Sequence, residues 1–495
     1  MDGLARASVG TAQDTTVQEA CEGLARRHPA WSAKRVLTAQ QAAAGVAIAA
    51  GLCAAVIIAP HPVGEAMHLV AMAIFGFAIL LRLAAAAASL APQAPSPPLV
   101  PENALPVITV LCPLYREANV AADLCASLNA LRYPRELLDV KLILEEDDRE
   151  TLAAVRAVGP PAFCEVLVAP PSLPRTKPKA LNYAFASARG SIVTVFDAED
   201  RPHPEQLRQA AAAFAAGGDK LACVQAPLLI DNADRAWISR QFAIEYAVQF
   251  GTLLPFLARM GLPFPLGGTS NYVRCDALRA VGGWDPYNVT EDADLGYRLA
   301  RNGFALGTIT APTFEEAPVR FDAWLRQRTR WIKGHIQTWL VLMRDPLRSH
   351  REMGAAGFWS MQLALGGGIA ASLLHGPFAL WLLAAVLAPT LWLQPPDLIL
   401  ALTGYTTAFY AALAAAACTG QGGLIRSAPT MPFYWPLASI AALHALGELI
   451  VKPHYWAKTA HGQSERRHAG HAPLFLPRAD RACGGGAGVS LGPPG

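Results

Sequence analysis

Charge is scarce in this sequence. Only 16% of its 495 residues are Asp, Glu, Lys or Arg, 53% are hydrophobic, and the mean hydropathy is +0.27. That balance is high for a soluble chain and points first to a membrane protein. A surplus of basic charge is also missing: the formal net charge is +3, with Lys and Arg dispersed along the chain. The polybasic footprint of a nucleic-acid binder is therefore excluded. The nine cysteines lack paired spacings, which argues against a zinc site or a disulfide framework and fits a reducing cytoplasm. No short apolar region with a cleavage site precedes Lys34–Arg35, so no signal peptide is expected and the first hydrophobic segment should stay.

Long uncharged runs are what the sequence has instead, and its length leaves room for more than one domain with a full core. Ala42–Pro60 and Ala66–Leu90, the second interrupted by Arg82, read as a transmembrane hairpin (36–91). Arg26, Arg27, Lys34 and Arg35 precede it and the HPVGE loop inside it has no Lys or Arg, which places both outer ends in the cytoplasm. Residues 1–35 are expected to be a cytoplasmic segment, more a solvated extension than a docked helix, although TVQEACEGLARR (16–27) is amphipathic. PQAPSPPLVPENALP (92–106) is a stiff proline-rich linker. After about residue 352 the chain is apolar again (353–455). Residues 355–393 are expected to form two spans around a break at His375–Pro377, followed by Leu398–Cys418 and Pro432–Ile450, for six spans in all. Lys452, Lys458, Arg466 and Arg467 then return the chain to the cytoplasm, where the tail 456–495, ending RACGGGAGVSLGPPG, is expected to be partly disordered.

Between the apolar regions, 107–352 alternates strand-like and helix-like stretches. VITVLCP (107–113), VKLILE (140–145), CEVLVA (164–169) and SIVTVFDAED (191–200) are buried-strand runs, separated by helical patterns such as 119–131 and 179–188. This pattern predicts an α/β domain with a largely parallel sheet and ligands at the strands' carboxyl ends. Acidic residues collect at those ends. FDAED (196–200) offers oxygens suited to a hard divalent cation that also holds phosphates, or merely solvates a turn. In VTEDADLGYRLARNGF (289–304), Glu291, Asp292 and Asp294 fall in the first turn of a helix, where an acid stabilises the dipole; as a functional group, Asp292 could take a proton from an attacking hydroxyl. LILEEDD (142–148) and RTKPKALN (175–182) add further acids and the cations Arg175, Lys177 and Lys179, which serve equally as surface charge. GGTSN (267–271) and GGWD (282–285) look like loops near an acceptor, or tight turns.

In this order along one tethered α/β domain, these motifs resemble those of the membrane-bound family 2 glycosyltransferases of the cellulose-synthase superfamily, over roughly 105–345 by motif. The resemblance implies a GT-A type nucleotide-sugar transferase domain with a mixed, mainly parallel sheet, inserted between about two transmembrane helices before and four after. CPLYRE (112–117) then makes Tyr115 and Glu117 nucleotide contacts, and Glu146 stands where the family has a second-strand aspartate. KALN matches a Lys-x-x-Asn element and implies substrate contacts by Lys179 and Asn182. DAE matches the metal-binding Asp-x-Asp, with Asp197 on substrate and metal and Glu199 on metal, the ion being Mg2+ or Mn2+. TED matches the catalytic-base motif, implying Asp292 as base with Glu291 beside it. QRTRW matches Gln-x-x-Arg-Trp, implying that Gln327 and Trp331 hold substrate and that Arg330 stabilises the leaving diphosphate. Two departures stand out: Glu199 replaces an aspartate, with Asp200 as an alternative ligand, and Glu145–Glu146 replaces an aspartate pair.

The function implied is an inverting, metal-dependent hexosyltransferase in the cytoplasmic (inner) membrane, multi-pass, with its catalytic domain in the cytoplasm. Its expected partners are a UDP-sugar (UDP-glucose foremost), a glycan or lipid acceptor and the bilayer, with room for accessory export subunits and no nucleic acid. Six spans favour a processive synthase that extends a β-linked polysaccharide and passes it across the membrane. The alternative is transfer of a single sugar to a membrane lipid. A non-catalytic transport or sensing module is less favoured, because Asp197, Asp292 and Arg330 are all retained.

Overall fold

The computed structural model describes residues 2–92, 96–388, 394–456 and 462, with side chains from residue 14 onward. Lys458, Arg466, Arg467 and the glycine-rich tail lie outside the described residues.

The strands are β1 Ile108–Leu114, β2 Leu138–Glu145, β3 Cys164–Ala169, β4 Ile192–Val195, β5 Arg201–Pro202, β6 Leu221–Gln225, β7 Leu228–Ile230, β8 Asn271–Arg274, β9 Ala305–Thr308 and β10 Thr313–Glu315. Seven of them form one sheet in the order β3-β2-β1-β4-β8-β6-β9, and β5, β10 and β7 form a small second sheet. The pairs β3–β2, β2–β1, β1–β4 and β6–β9 are parallel, while β8 is antiparallel to both neighbours. The strand and helix patterns predict a largely parallel α/β sheet, and the mixed, mainly parallel form found here is the one that the family resemblance implies. Period-2 alternation explains its burial on both faces. Ile108, Val110, Cys112 and Leu114 of β1 join one apolar cluster, and Leu111 joins the other. Because β1, β2 and β4 run the same way, the segments after them, Tyr115–Glu117, Glu146–Asp148 and Asp197–Asp200, emerge at one end of the sheet. The chain turns to opposite sides of β1 there, which opens a crevice.

Apolar helices flank this domain. Ala39–Ile58, Pro60–Leu90, Pro346–Leu387 and Pro395–Thr419 are each long and apolar enough to cross a membrane among the described residues, and Gly422–Tyr434 with Leu437–Val451 make a fifth candidate bent by 55°. Two candidates precede the α/β domain and two or three follow it, so the expected four afterwards and the split at His375–Pro377 are corrected. Helix Gly367–Leu387 runs straight through Pro377. A proline there frees backbone groups one turn earlier. Ser439, on Leu437–Val451, takes them up: its hydroxyl accepts from Gly376 N at 2.8 Å and donates to Ser372 O at 2.6 Å, with Leu373 O 3.3 Å away. The interruption falls instead at Gly354, whose φ of 70° breaks the helix ahead of the apolar part.

Small side chains on the apolar helices seat the α/β domain. Ala408, Ala412 and Ala415 of Pro395–Thr419 pack on Phe242 and Ala243 of helix Trp237–Val248, and Ala441, Ala442 and Ala445 pack on Ile332 and Ile336 of helix Phe321–Leu342. Residues 14–35 are not a solvated extension. Helix Asp2–Arg27 buries Ala20, Cys21 and Leu24 against the domain. Beyond it, Ser32 Oγ and Ala33 N donate to the buried Asp285 carboxylate at 3.0 and 2.5 Å, and Arg344 donates to the carbonyls of Pro29 and Ala30.

Candidate functional site

The crevice at the strands' carboxyl ends is a cavity of about 400 Å³, within the range for small-molecule sites. Four of the segments that line it carry the motif residues and their neighbours. The sheet contributes Tyr115, Glu117, Glu145, Asp197 and Glu199; the loop before β8 contributes Gly267–Thr269; the start of helix Glu291–Arg301 contributes Glu291 and Asp292; and helix Phe321–Leu342 contributes Gln327, Arg330, Trp331 and His335. Positions 327, 330, 331 and 335 fall on one face because three- and four-residue spacings stack along a helix. That face can approach the acids because residue 334 is glycine. A Cβ there would collide with the Thr290 side chain, one residue before Glu291.

The carboxylates crowd one another. Asp200 is buried, Asp197 N donates to its Oδ2 at 2.7 Å, Thr269 Oγ1 bonds the same oxygen, and its Oδ1 has no hydrogen-bond partner. Burial first, and then the charges of Asp197, Glu315 and Glu199, push the Asp200 carboxyl well above the usual range. The acids at the helix start behave alike: burial and the neighbouring Asp292 raise Glu291, and burial raises Asp292 despite a hydrogen bond from Ala293 N at 2.8 Å. Their counter-charges are Lys177 and Arg330. Lys177 Nζ bonds Asp197 Oδ1 and donates to Gly268 O at 2.7 Å; burial works against its proton, but Asp197 and Glu291 outweigh that and hold its pKa above the ordinary lysine value. Arg330 lies 4.8 Å from the ring centroid of Trp456, with Nε unbonded, and Gln327 Oε1 is likewise buried without a partner. Buried polar atoms left unsatisfied beside a cavity are what a polar ligand would complete.

Farther in, the wall is aromatic. Trp331 lies 5.6 Å from Phe242 and 6.1 Å from Tyr246, with Phe250 behind, and the Arg328 guanidinium sits 5.1 Å from the Trp331 ring. Arg328 is itself fixed by Glu245 at 2.7 Å, and Lys333, buried completely, by Glu448 at 2.8 Å. Of the basic residues around Arg330, only Arg326 is an exposed flank.

The structure brings together Tyr115, Glu117, Asp197, Glu199, Glu291, Asp292, Gln327, Arg330 and Trp331. Three expected substrate contacts are elsewhere. Lys179 is buried, donating to both oxygens of Glu145 at 2.9 Å. Asn182 ties the N-terminal helix to the GGWD turn, donating to Ala20 O and Trp284 O at 3.2 and 2.8 Å and accepting from Trp284 N at 3.0 Å. Glu146 is exposed off the cavity, its backbone bonded to Ala169 O. The GGWD glycines, both at positive φ, pack on Leu24 and Asn182 and do not line the cavity. The cavity residues that the motifs missed include Tyr246, Glu315 and Trp456. Lys177 belongs to RTKPKALN, but only the start of its helix at that residue decides which lysine turns inward.

No group of three or more His, Cys, Asp or Glu among the described residues has ready metal-site geometry. The donor chemistry nonetheless fits a divalent cation, because hard carboxylate oxygens cluster here and one of them, Asp200 Oδ1, is orphaned.

Comparison with known proteins agrees with the motifs. Residues 192–416 match the family model described as glycosyl transferase family group 2. A probable glycosyltransferase, YdaM, of Bacillus subtilis is 26% identical over 239 residues, 47% of this chain and 56% of that protein. A beta-monoglucosyldiacylglycerol synthase of Nostoc is 27% identical over 307 residues, 61% and 60% of the two chains. The chain thus spans somewhat over half the length of these curated relatives. Among solved structures, a mannosyltransferase of Pyrobaculum calidifontis, in complex with GDP-Man and Mn2+, covers 78% of this chain and 98% of its own at 20% identity and a TM-score of 0.49.

Proposed function

We propose that this chain, which carries a family 2 glycosyltransferase domain, moves one sugar from a nucleoside diphosphate sugar, UDP-glucose foremost, to the hydroxyl of a membrane lipid. The observation that carries the reading is the layout of the cavity. Acids and the cations Arg175, Lys177 and Arg330 sit at its sheet end, and aromatic rings close the end that leans on the apolar helices. A nucleoside diphosphate suits the first end and an acceptor at the bilayer face suits the second. Likeness to a glycolipid synthase supports the same choice.

In this reading Tyr115 and Glu117 face the nucleotide. Lys177 and Arg330 stabilise the negative charge that develops on the leaving diphosphate, with the guanidinium suited to two phosphate oxygens at once. Asp292 takes the acceptor's proton as its oxygen attacks the anomeric carbon, and a single displacement inverts that centre. The raised pKa of Asp292 makes it a stronger base than a free carboxylate. Trp331 offers a flat apolar face to the sugar. Asp197 and Glu199 would hold Mg2+ or Mn2+, which would neutralise phosphate charge.

The catalytic domain would face the cytoplasm, the apolar helices lying in the inner membrane. Processive extension of a polysaccharide drew its support from six spans, and among the described residues four helices, or five with the bent pair, are long and apolar enough to cross a membrane. Product analysis separates the two: one hexose on an extracted lipid supports single transfer, and a long polymer would overturn it.

A further inference from the structure

A second cavity lies within the apolar helices, away from the transferase site. It measures about 60 Å³ and is lined by Phe75, Arg82, His375, Tyr405, Thr407 and Trp435, from helices Pro60–Leu90, Gly367–Leu387 and Pro395–Thr419 and from the bend before Leu437–Val451. An arginine in such a place needs an explanation, since a charge at membrane depth is costly and normally meets a counter-charge or a water-filled path. Arg82 stands eight residues before the end of its helix at Leu90, about 12 Å along the axis. That puts it in the same half of the helix as the α/β domain.

Its surroundings supply no anion. Among the described residues, no carboxylate or other acceptor lies within hydrogen-bonding or ion-pairing distance of Arg82; its recorded contact is the Trp435 ring, 5.8 Å from its Cζ. Glu245 acts on it only through space and is already held by Arg328 at 2.7 Å and Tyr434 at 3.0 Å. A second donor faces the same space. The Tyr405 hydroxyl makes no hydrogen bond among the described residues, while its ring stacks on Trp435 at 5.6 Å and 5°. His375 Nδ1 is used by Ala371 O at 2.8 Å, which leaves Nε2 as its remaining polar atom. The rest of the lining is aromatic or aliphatic.

Two donors without a protein partner among the described residues, the exposed Arg82 cation and the half-buried Tyr405 hydroxyl, at an apolar cleft between bilayer-length helices have the chemistry of an anion site whose ligand carries its own hydrocarbon. We propose that this cleft binds the phosphate of an anionic phospholipid, with Arg82 and Tyr405 as donors and the acyl chains lying along the exposed faces of the apolar helices. The volume admits a phosphate and excludes a whole lipid, so the chains must remain in the bilayer. Trp435, the floor of the cleft, adjoins Tyr434, which bonds Glu245 and Trp324 beside the transferase cavity. An occupied cleft would therefore brace the wall that carries Arg328. The site does not depend on the transferase reading.

The test is native mass spectrometry of the full chain released from nanodiscs of phosphatidylcholine mixed with phosphatidylglycerol. The wild type should retain phosphatidylglycerol adducts. Arg82→Gln should reduce them about tenfold and Tyr405→Phe by about threefold, as expected for losing a charged and a neutral hydrogen bond. Arg82→Lys should keep most of them, and Arg326→Gln, an exposed arginine outside the cleft, should match the wild type. If Arg82→Gln does not fold, Tyr405→Phe and Arg82→Lys carry the comparison. Equal adducts in wild type and Tyr405→Phe together with Arg82→Gln would overturn the site. So would displacement of the lipid by millimolar inorganic phosphate, or capture of diacylglycerol in place of the phospholipid.

Discussion

Lys179 closes on Glu145 with two hydrogen bonds of 2.9 Å inside the domain, while Lys177, two residues earlier, reaches Asp197 across the cavity. The two lysines of one short motif thus have separate tasks. Lys179→Met leaves a buried carboxylate unpaired and should cost about 3–5 kcal/mol of stability, visible as a large drop in melting temperature. Lys177→Met should change stability by about 1 kcal/mol or less, since Asp197 is partly exposed. It should slow sugar transfer about a hundredfold or more. Reversed effects would return Lys179 to the nucleotide.

The base assigned to Asp292 has a pH signature. Its carboxyl is raised by burial, so the reactive carboxylate is lost as pH falls through a value above the roughly 4 of a free side chain. The acid limb of kcat/KM should lie correspondingly high. Glu291, raised by burial and by the charge of Asp292 to about 8, is already protonated on that limb, so Glu291→Gln should leave the limb in place, whereas a limb that moves would assign it to Glu291.

Trp331 should act on the acceptor. Trp331→Ala should raise the acceptor KM by about tenfold and leave the donor KM nearly unchanged, in keeping with the loss of one aromatic face. A change confined to the donor would place the indole at the nucleotide end.

Chelation tests the ion. EDTA should suppress transfer and Mg2+ or Mn2+ should restore it, and Asp197→Asn should weaken the metal's apparent affinity. Transfer that persists in EDTA would leave phosphate neutralisation to the cavity's own cations, Arg175, Lys177 and Arg330.

Much of this site was legible because its parts are local. A strand that ends in acids puts them in the crevice, and Gln327, Arg330 and Trp331 share a helix face by spacing alone. What was not legible depends on long-range packing. That Arg175 and Lys177 line the cavity while Lys179 turns to Glu145 follows from where the helix starts. Trp456 reaches Arg330 only through the bent helix pair, and Lys333 looks like a membrane flank until Glu448 arrives beside it. The break expected at Pro377 failed for the same reason, since Ser439 on another helix completes the backbone that proline leaves open. The amphipathic stretch 16–27 carried a signal, yet its partner surface at Asn182 and Trp284 is far away in sequence.

The most direct measurement follows purified full-length protein in bilayers containing diacylglycerol, supplied with UDP-glucose and Mg2+, and records both released UDP and the mass of every glycosylated product. The account predicts one UDP for each lipid that gains a single hexose, and loss of both signals in a folded Asp292→Asn variant, by about a hundredfold to ten-thousandfold. UDP released alongside a long polymer with no glycosylated lipid, or full activity in Asp292→Asn, would contradict it.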